Sequence, residues 1–385
     1  MDVHLLDRDL YAGDPTPVYA WLRDEAPVYW SEAAGVWGVS RYEDVIALEK
    51  QPGVFSNEGG SRPNTPANAS MIDRDDPRHR AQRRFVSKGF TPKAVADKET
   101  HARDITRSLI DAVETKGGCD LVQELAAPLP MILIAEMLGV EPSDRETLQR
   151  WSDVLISGAD GEQNVTDDVL DAHFAFIEYT MKVMEDRRAH PRDDLISILV
   201  HEEIDGDRLP DDELLSEALL LLIGGNETTR NVISGGVEAL LRNPDQRDAL
   251  VRDPALIPTA VEECLRWVSP ILNMNRTATR EVELHGQTIH GGDQVLLMFA
   301  SANRDPAVFT EPEHFDIGRD PNPHVAFGFG PHFCLGASLA RVEIRVMLEE
   351  LLPRLPKLRL VDDAPVERTH SSFIRGIHHL SVRWD

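Results

Sequence analysis

Apolar residues recur at helical spacing through much of the chain, from Asp76 to about Arg242. This period predicts a series of helices joined by short loops. Glycine and proline mark the expected breaks, at Gly117-Gly118, Gly139, Gly158–Gly161 and Pro191. Between Glu281 and Phe299 the period drops to two, which predicts strands with turns at Gly286 and Gly291-Gly292.

Shorter alternating segments flank this helical region. Residues 28–39 predict a hairpin that turns at Ala33-Ala34-Gly35, and His378 to Trp384 predicts a last strand. Residues 56–70 are rich in Ser, Asn, Gly and Pro and predict a long loop of the kind kept for function. Without an internal repeat or a linker-like segment, residues 1–385 predict a single domain that is mainly α with a small β portion.

The longest stretch without proline lies between Pro210 and Pro244 and predicts a helix of about 50 Å. Its middle is unfavourable, because Gly224-Gly225 and the polar residues that follow lower helix propensity. One interpretation is a helix end that divides the stretch into two helices. The other is a functional bend, where a ligand approaches the backbone beside Glu227 and Thr228.

Composition narrows the function. The 385 residues are 42% hydrophobic and 28% charged, as in ordinary globular proteins, which excludes a disordered or collagen-like chain. The formal net charge is −26, from 40 basic and 66 acidic side chains, and it argues against nucleic acid as a partner.

Three cysteines, Cys119, Cys264 and Cys334, are too far apart for a CxxC or zinc pattern. The N-terminus has no basic segment followed by an apolar run, and no stretch of about 18 apolar residues occurs. We therefore expect a reduced, cytoplasmic protein that does not span a membrane.

Residues 327–336 carry the most specific chemical signal. Gly328-x-Gly330 begins like a dinucleotide loop, but the third glycine position holds Phe333 and no apolar strand precedes it. What remains is Cys334 on a glycine-rich loop directly before a predicted helix. Free amides at the start of that helix would stabilise a thiolate.

This ten-residue segment resembles the haem-binding loop of the cytochrome P-450 superfamily, FGxGxHxCxG. The resemblance implies the cytochrome P-450 fold and a haem b whose iron is bound by the thiolate of Cys334. Phe327, His332 and Gly336 are then haem contacts in the same loop.

Other family motifs follow in order along nearly the whole chain. Glu263 and Arg266 match the E-x-x-R pair that braces the haem side. Gly224 and Gly225, with the acid–alcohol pair Glu227-Thr228, match the bend of the long helix over the haem. His79, Arg83, Arg276 and His332 match partners of the haem propionates. Many relatives have Asp at the position of Glu227, which adds one methylene to the proton relay.

The resemblance implies a monooxygenase that uses O₂ and NAD(P)H-derived electrons, delivered by ferredoxin reductase and ferredoxin. No reductase domain is expected, because the chain ends soon after Cys334. A peroxide-driven enzyme and a haem-thiolate sensor or carrier without turnover are the alternatives, and Glu227-Thr228 argues against both.

The substrate is predicted to be a small hydrophobic molecule. Segments around Met71, Leu222 and Asn322 resemble actinobacterial enzymes that oxidise the terminal side-chain carbon of cholesterol or cholest-4-en-3-one. Terpenoids, polyketides and fatty acids stay open as alternatives, although no Arg or Lys stands among the predicted contacts to pair with a carboxylate. Those contacts are Met71, Ile72, Leu221, Val268, Ile271, Leu272, Met274, Phe373 and Ile374, and family position adds the region near Leu155 to Val169.

Five basic residues on two predicted helices suggest where the electron donor docks. Family position places both helices on the thiolate-facing side of the haem. A local basic patch there would steer an acidic ferredoxin despite the net charge. The five are Arg80, Arg84, Lys88, Arg341 and Arg345.

Overall fold

The computed structural model describes residues 1–158, 164–204, 206–362 and 366–384. Helices dominate it, as the periodicity predicts. In chain order they are α1 (Arg8–Ala12), α2 (Thr16–Glu25), α3 (Tyr42–Glu49), α4 (Arg78–Val86), α5 (Pro92–Glu114), α6 (Pro128–Leu138), α7 (Arg145–Ser157), α8 (Asp167–Ala189), α9 (Leu195–His201), α10 (Asp211–Arg242), α11 (Pro244–Arg252), α12 (Ile257–Val268), α13 (Phe299–Ala302) and α14 (Ala337–Leu351).

The strands are short. They are β1 (Val28–Ser31), β2 (Val36–Val39), β3 (Phe55–Ser56), β4 (Gly118–Asp120), β5 (Glu203–Ile204), β6 (Asp207–Arg208), β7 (Met274–Ala278), β8 (Val282–Leu284), β9 (Gln287–Ile289), β10 (Gln294–Leu297), β11 (Leu358–Leu360) and β12 (Ser381–Trp384). The largest sheet has the order β1-β2-β10-β7-β3, and a second has the order β11-β12-β4. Two hairpins, β5-β6 and β8-β9, complete the β portion of the described residues.

Most sequence-based expectations for the elements are confirmed. The first hairpin pairs Val28 with Val39 and turns at Gly35, whose φ is +65°. Gly139 ends α6 in the left-handed conformation, where its missing Cβ removes the steric penalty. The expected break at residues 158–161 falls partly on residues 159–163, outside the described residues. Strands β3 to β7 and β11 were not predicted.

The long helix α10 is unbroken from Asp211 to Arg242, so the interpretation as two helices is wrong. The Thr228 hydroxyl donates to the carbonyl of Gly224 at 3.1 Å, which lets a polar residue sit inside the helix. Apolar residues of α10 pack into two of the main core clusters, one shared with α12 and α14 and the other with α6 and α9. The helix therefore runs through the centre of the fold.

A buried ion pair fixes α12 to the chain that leads to Cys334. Arg266 donates to both carboxylate oxygens of Glu263 at 2.7 Å, and both side chains are fully buried. The guanidinium also donates to the carbonyls of Asn303, Pro312 and His314, at 2.9, 2.9 and 3.2 Å. All three carbonyls belong to the irregular segment after α13, so one side chain organises that segment.

The carboxylate of Glu263 also accepts hydrogen bonds from the same segment. It accepts bonds from the Asp316 amide at 2.8 Å, Arg319 at 3.2 Å and Asn322 at 3.1 Å. The backbone carbonyl of Asn303 is bonded to Arg266, and its side-chain oxygen accepts a hydrogen bond from the Val325 amide at 2.7 Å. The predicted E-x-x-R pair is thus a structural brace just before the cysteine loop.

We predict that Arg266→Met lowers the free energy of unfolding by about 3–5 kcal/mol, because it leaves the Glu263 carboxylate buried without its partner. Lys182→Met is the matched control, since its pair with Glu178 is more than 70% exposed on both sides, and it should change stability by less than about 1 kcal/mol. Urea titration measures both values. Equal stability of the two variants would contradict the brace.

Candidate functional site

Cys334 lies on the loop between Val325 and α14, as predicted. Gly328 and Gly330 have φ of +68° and +72°, and a side chain at Gly330 would collide with the carbonyl of Glu49 at 2.6 Å. The Cys334 amide donates to the carbonyl of Phe327 at 2.9 Å, which closes the loop on itself. The cysteine is therefore held by backbone geometry that only glycine readily supplies at those two positions.

The surroundings of the thiol act on its pKa in opposite directions. Burial among protein atoms raises the pKa of Cys334, while amides of Gly336 and Ala337 at the start of α14 lower it, as do Arg83 and Arg341. The residue nevertheless has an exposed surface. Burial is the larger effect, so the pKa of Cys334 lies above its usual range in the protein alone, and the amides and arginines offset only part of the cost of burying a thiolate.

Basic side chains from three segments gather beside this loop. The rings of His79 and His332 stack with centroids 3.9 Å apart. Burial lowers the pKa of His332 to about 2, with further lowering by the nearby His79, Arg276 and Arg83. Arg83 also donates to the carbonyl of Phe333 at 2.5 Å. The structure therefore brings together all four residues that the sequence assigns to the haem propionates.

This cluster suits a ligand that carries two carboxylates. His79 is buried, and its Nε2 has no hydrogen-bond partner among the described residues. Burial is also the main cause of the lowered pKa of His79 and of Arg83. An exposed cysteine next to buried and half-buried donors for anionic groups fits a haem with a cysteine ligand and two propionates.

Arg276 forms an ion pair within the protein. It lies on β7 and forms a buried pair with Glu49 at 2.9 Å. Burial raises the pKa of Glu49 even though Arg276 opposes that shift. Glu49 was not predicted from the sequence, where nothing distinguishes it from a surface acid of α3.

The two glycines in the middle of α10 have different surroundings. Gly224 is exposed although it lies inside a central helix, and a methyl group there would meet none of the described residues within 4 Å. A methyl group at Gly225 would lie 2.7 Å from Ile134 of α6, so Gly225 allows these two helices to approach closely. Thr228, one turn after Gly224, is also part-exposed. Gly225 thus has a packing role that the sequence did not indicate, while a haem contact there stays a prediction.

Glu227 belongs to a buried polar network between α10 and α7. It is paired with Arg230, which contacts Asp153 at 2.7 Å. Asn226 donates to Glu227 and to Ser152, both at 3.3 Å. Burial, opposed by Arg230, raises the pKa of Glu227 to about 7.

This network leads to solvent. Asp153 is 42% exposed at the side chain, whereas Glu227 is only 2% exposed. Glu227 also interacts directly with Asp153 through a side-chain hydrogen bond. A buried acid with a pKa near neutrality can thus exchange a proton with this exposed carboxylate, while the permanently charged Arg230 holds the two together. Sequence reasoning found Glu227 and missed Arg230 and Asp153, although the i,i+3 spacing of Glu227 and Arg230 is visible in the sequence.

A separate apolar cluster lies next to Gly224. It brings together residues from α7, α10, the start of β7 and the C-terminal segment. The main chains are tied as well, since Leu272 donates to the Phe373 carbonyl at 2.9 Å and Ile271 bridges Ile374. The cluster contains four predicted substrate contacts, Ile271, Met274, Phe373 and Ile374. It also contains Ile156, from the predicted region near Leu155 to Val169, and Ile223, which was not named as a contact.

The remaining predicted substrate contacts lie in other surroundings. Leu221 and Met71 belong to the core cluster of α6, α9 and α10, and Ile72 follows Met71 in a short turn. Val268 packs against Gly235, and Leu272 packs with the N-terminal segment. Part of the region near Leu155 to Val169, residues 159–163, lies outside the described residues.

Glu217 is a buried acid that the sequence did not single out. It is on the same face of α10 as Leu221, and it accepts the amide of Met71 at 2.6 Å. Its second oxygen has no partner among the described residues, and burial raises its pKa to about 7. Glu217 therefore attaches the turn of Met71 to the central helix.

Four of the five basic residues predicted to dock an electron donor contact carboxylates. Arg80 pairs with Asp76, Lys88 with Glu202, Arg341 with Glu262, and Arg345 with Glu99. Arg84 is exposed and has no carboxylate partner within the described ranges. Arg341 also lies over the Phe327 ring at 4.6 Å, so it supports the cysteine loop.

Comparison with known proteins agrees with this geometry. Residues 255–377 match the family model described as cytochrome P-450. A steroid C26-monooxygenase of Mycobacterium tuberculosis is 49% identical over 99% of this chain and 96% of its own length. A methyl-branched lipid omega-hydroxylase of Mycobacterium bovis is 40% identical over 100% and 93%. A cytochrome P-450 of Bacillus megaterium, solved with testosterone, has a TM-score of 0.90 at 35% identity, covering 97% of this chain and 98% of its own.

A thiolate loop, a basic cluster for two carboxylates and a long central helix define a haem-thiolate protein. The chain belongs to the cytochrome P-450 family, which implies a haem iron bound through a cysteine thiolate, and it is a monooxygenase. No helix within the described ranges has the length and apolar character needed to cross a membrane.

Proposed function

We propose that this enzyme hydroxylates the terminal side-chain carbon of cholesterol or cholest-4-en-3-one. One atom of O₂ enters the C–H bond, and the other is reduced to water by two electrons and two protons. The electrons come from NAD(P)H through ferredoxin reductase and ferredoxin. The observation that carries this proposal is the 49% identity, over 99% of the chain, to a steroid C26-monooxygenase.

The apolar cluster next to Gly224 supports a hydrophobic substrate. Its six members bury aliphatic and aromatic surface from four parts of the fold. Apolar burial contributes about 25 cal/mol per Å², which favours a molecule with a large apolar body. A sterol has such a body and a slim side chain that can reach the reacting centre.

A second candidate is the ω-hydroxylation of a branched lipid. The methyl-branched lipid omega-hydroxylase of Mycobacterium bovis is 40% identical along the whole chain. Both candidate reactions oxidise the end of an apolar chain. They differ in the remote part of the substrate, which is a rigid ring system in one and an acyl chain in the other.

We predict that cholest-4-en-3-one shifts the haem absorption from low to high spin and yields a product oxidised at the side-chain end. Optical titration and mass spectrometry of the product measure these two outcomes. Methyl-branched fatty acids are the comparison ligands. Tighter binding and faster oxidation of those acids would contradict the steroid proposal and leave the monooxygenase assignment intact.

The haem supplies oxygen activation when bound, and the protein residues supply its position and the protons. Cys334 would hold the iron, and His79, Arg83, Arg276 and His332 would hold the propionates. Glu227 would exchange protons with solvent on the side of the exposed Asp153, with Arg230 holding the two carboxylates in place. Thr228, part-exposed on α10, would supply a hydroxyl that holds a hydrogen-bonded proton at its Oγ1.

Thr228→Ala should keep sterol binding but lower the product formed per NADH several-fold, because proton delivery loses its hydroxyl. Glu227→Gln should slow turnover on the order of 100-fold, since it removes the titrating acid. The wild-type rate should fall as pH rises above about 7, where Glu227 loses its proton, and the Gln variant should lose this dependence. Coupling and pH–rate profiles measure these effects.

The matched control is Thr229→Ala. Thr229 is the next residue of α10 and is buried, so its substitution should leave the product per NADH unchanged. Normal coupling in Thr228→Ala would remove Thr228 from the proton path. If Glu227→Gln kept the wild-type pH profile, Glu227 would have no part in the proton path.

Arg84 is proposed as the main docking cation for an acidic ferredoxin. Carboxylates already neutralise much of the charge of Arg80, Lys88, Arg341 and Arg345. An exposed guanidinium without such a partner in the described residues exerts a longer-range attraction. The electrostatic attraction of this surface for ferredoxin is therefore weaker than that of five cations without carboxylate partners.

The rate of haem reduction by ferredoxin should fall with rising salt and fall several-fold further in Arg84→Glu. Lys182→Glu, which makes the same change of charge on α8, should have little effect. Stopped-flow reduction at several ionic strengths separates the two variants. A rate independent of salt, or equal losses in both variants, would rule out docking at Arg84.

A further inference from the structure

A buried carboxyl group that the proposed mechanism does not use lies on α10. Glu217 is 1% exposed, and one of its oxygens accepts the amide of Met71 at 2.6 Å. The other oxygen is enclosed and has no hydrogen-bond partner among the described residues. An ionised carboxylate at this position would have a single neutral donor, which is much less than a buried charge requires.

The charged groups around Glu217 do not neutralise it. Glu213, one turn earlier on α10, repels an ionised Glu217, and it is itself bonded to Arg78 and Gln82 of α4 at 2.5 and 2.8 Å. Helices α6 and α9 present apolar residues of their shared core cluster to α10. Burial therefore raises the pKa of Glu217 to about 7, and the attraction of Arg74 offsets little of this shift.

The turn that Glu217 holds belongs to the long loop before α4, and this loop is also fixed at a second place. The carboxylate of Asp73 accepts the amide of Ser61 at 2.8 Å. The Ser61 carbonyl accepts the amide of Asn275 on β7 at 2.9 Å. The part of the loop around Ser61 thus stays attached to β7 when the bond between Met71 and Glu217 breaks.

We propose that Glu217 is a positioning residue for substrate retention: its neutral carboxyl group holds the Met71 turn on α10, and its ionisation releases the turn and speeds ligand dissociation. This inference rests on the proposed function, in which Met71 and Ile72 contact the substrate. Met71 shares a core cluster with Leu221. Glu217, Leu221 and the exposed Gly224 are spaced i, i+4 and i+7, so a released turn uncovers the face of α10 that leads to Gly224.

Protonation of Glu217 differs between the closed and the released turn. In the closed turn its pKa is about 7, and contact with water in the released turn returns the pKa to its usual value of 4.5. Closing the turn therefore takes up a proton between about pH 4.5 and pH 7. Closure weakens as pH rises through this range and changes little above it.

Hydrogen exchange of the Met71 amide in the holoenzyme measures the opening of the turn. After correction for the intrinsic exchange rate, the protection of this amide should fall about tenfold from pH 6 to pH 8 in the wild type. Glu217→Gln keeps an acceptor for the amide but cannot ionise. It should lose the pH dependence and protect the amide more than tenfold better than the wild type at pH 8, whereas damage to the fold would lower protection.

Two variants and one internal reference serve as controls. Asp212→Asn is the matched variant, because Asp212 is an exposed acid of the same helix. Glu227→Gln removes a second acid of α10 whose pKa is about 7. Both variants should keep the wild-type pH profile of the Met71 amide. The Val325 amide is bonded to the side chain of Asn303, which does not titrate, and it should keep its protection throughout this pH range.

Release of bound cholest-4-en-3-one should follow the opening of the turn. Mixing the complex with excess fluconazole, a neutral azole that ligates haem iron, gives the release rate by stopped-flow absorbance. This rate should rise about tenfold from pH 6 to pH 8 in the wild type and stay constant in Glu217→Gln. An unchanged ferrous–CO spectrum shows that the fold of each variant is intact.

The outcomes separate this inference from the proposed function. Equal protection of the Met71 amide at pH 6 and pH 8, or the same decrease in Glu217→Gln, would overturn the role of Glu217. A release rate that does not change with pH while the amide exchange does would overturn it as well, because the turn would then not retain the ligand. A wild-type enzyme that binds no sterol would overturn the steroid function alone, since the exchange of the Met71 amide is measured without ligand.

Discussion

The buried pair of Glu263 and Arg266 is the interaction on which the haem side of the fold depends. Two opposite charges without solvent are tolerated only because every remaining donor and acceptor finds a partner. Here those partners are backbone groups of residues 303–316 together with Arg319 and Asn322. The irregular chain before the cysteine loop has little regular secondary structure, so this pair replaces the ladder of hydrogen bonds that a strand or helix would supply.

The neighbouring acid extends the same brace to the loop itself. The carboxylate of Glu262 pairs with Arg341 of α14 at 2.7 Å and with His324 at 3.0 Å. Burial raises the pKa of Glu262, but Arg341 and His324 outweigh it and bring the pKa to about 2. Two consecutive glutamates of α12 thus fix the chain before Cys334 and the helix after it. The position of the thiolate follows from these two carboxylates as much as from the glycines of the loop.

The sequence indicated the candidate residues of the site better than the residues that hold them in position. Cys334, His79, Arg83 and His332 belong to short motifs whose spacing is fixed by one loop or one helix. The apolar cluster was predicted in part, because Ile271, Met274, Phe373 and Ile374 come from segments known from the family resemblance.

The interactions that hold the site residues in place were not predicted, because each joins residues that are distant in sequence. Glu49 meets Arg276 across 227 positions, and Glu217 meets Met71 across 146. The propensity of Gly224-Gly225 also misled one interpretation of α10, since tertiary packing on both sides of the helix outweighs two unfavourable residues.

The hydrogen bonds that Asp73 and Asp75 accept within the loop of residues 56–75 have a consequence for how this enzyme changes over evolution. Asp73 and Asp75 accept bonds from main-chain amides and from a serine hydroxyl, so the shape of the loop depends little on which side chains its other residues carry. Residues that project from such a loop can be exchanged without refolding it. A chain with this architecture can therefore acquire a new ligand preference through single substitutions at such positions, while the cysteine loop and its brace stay untouched.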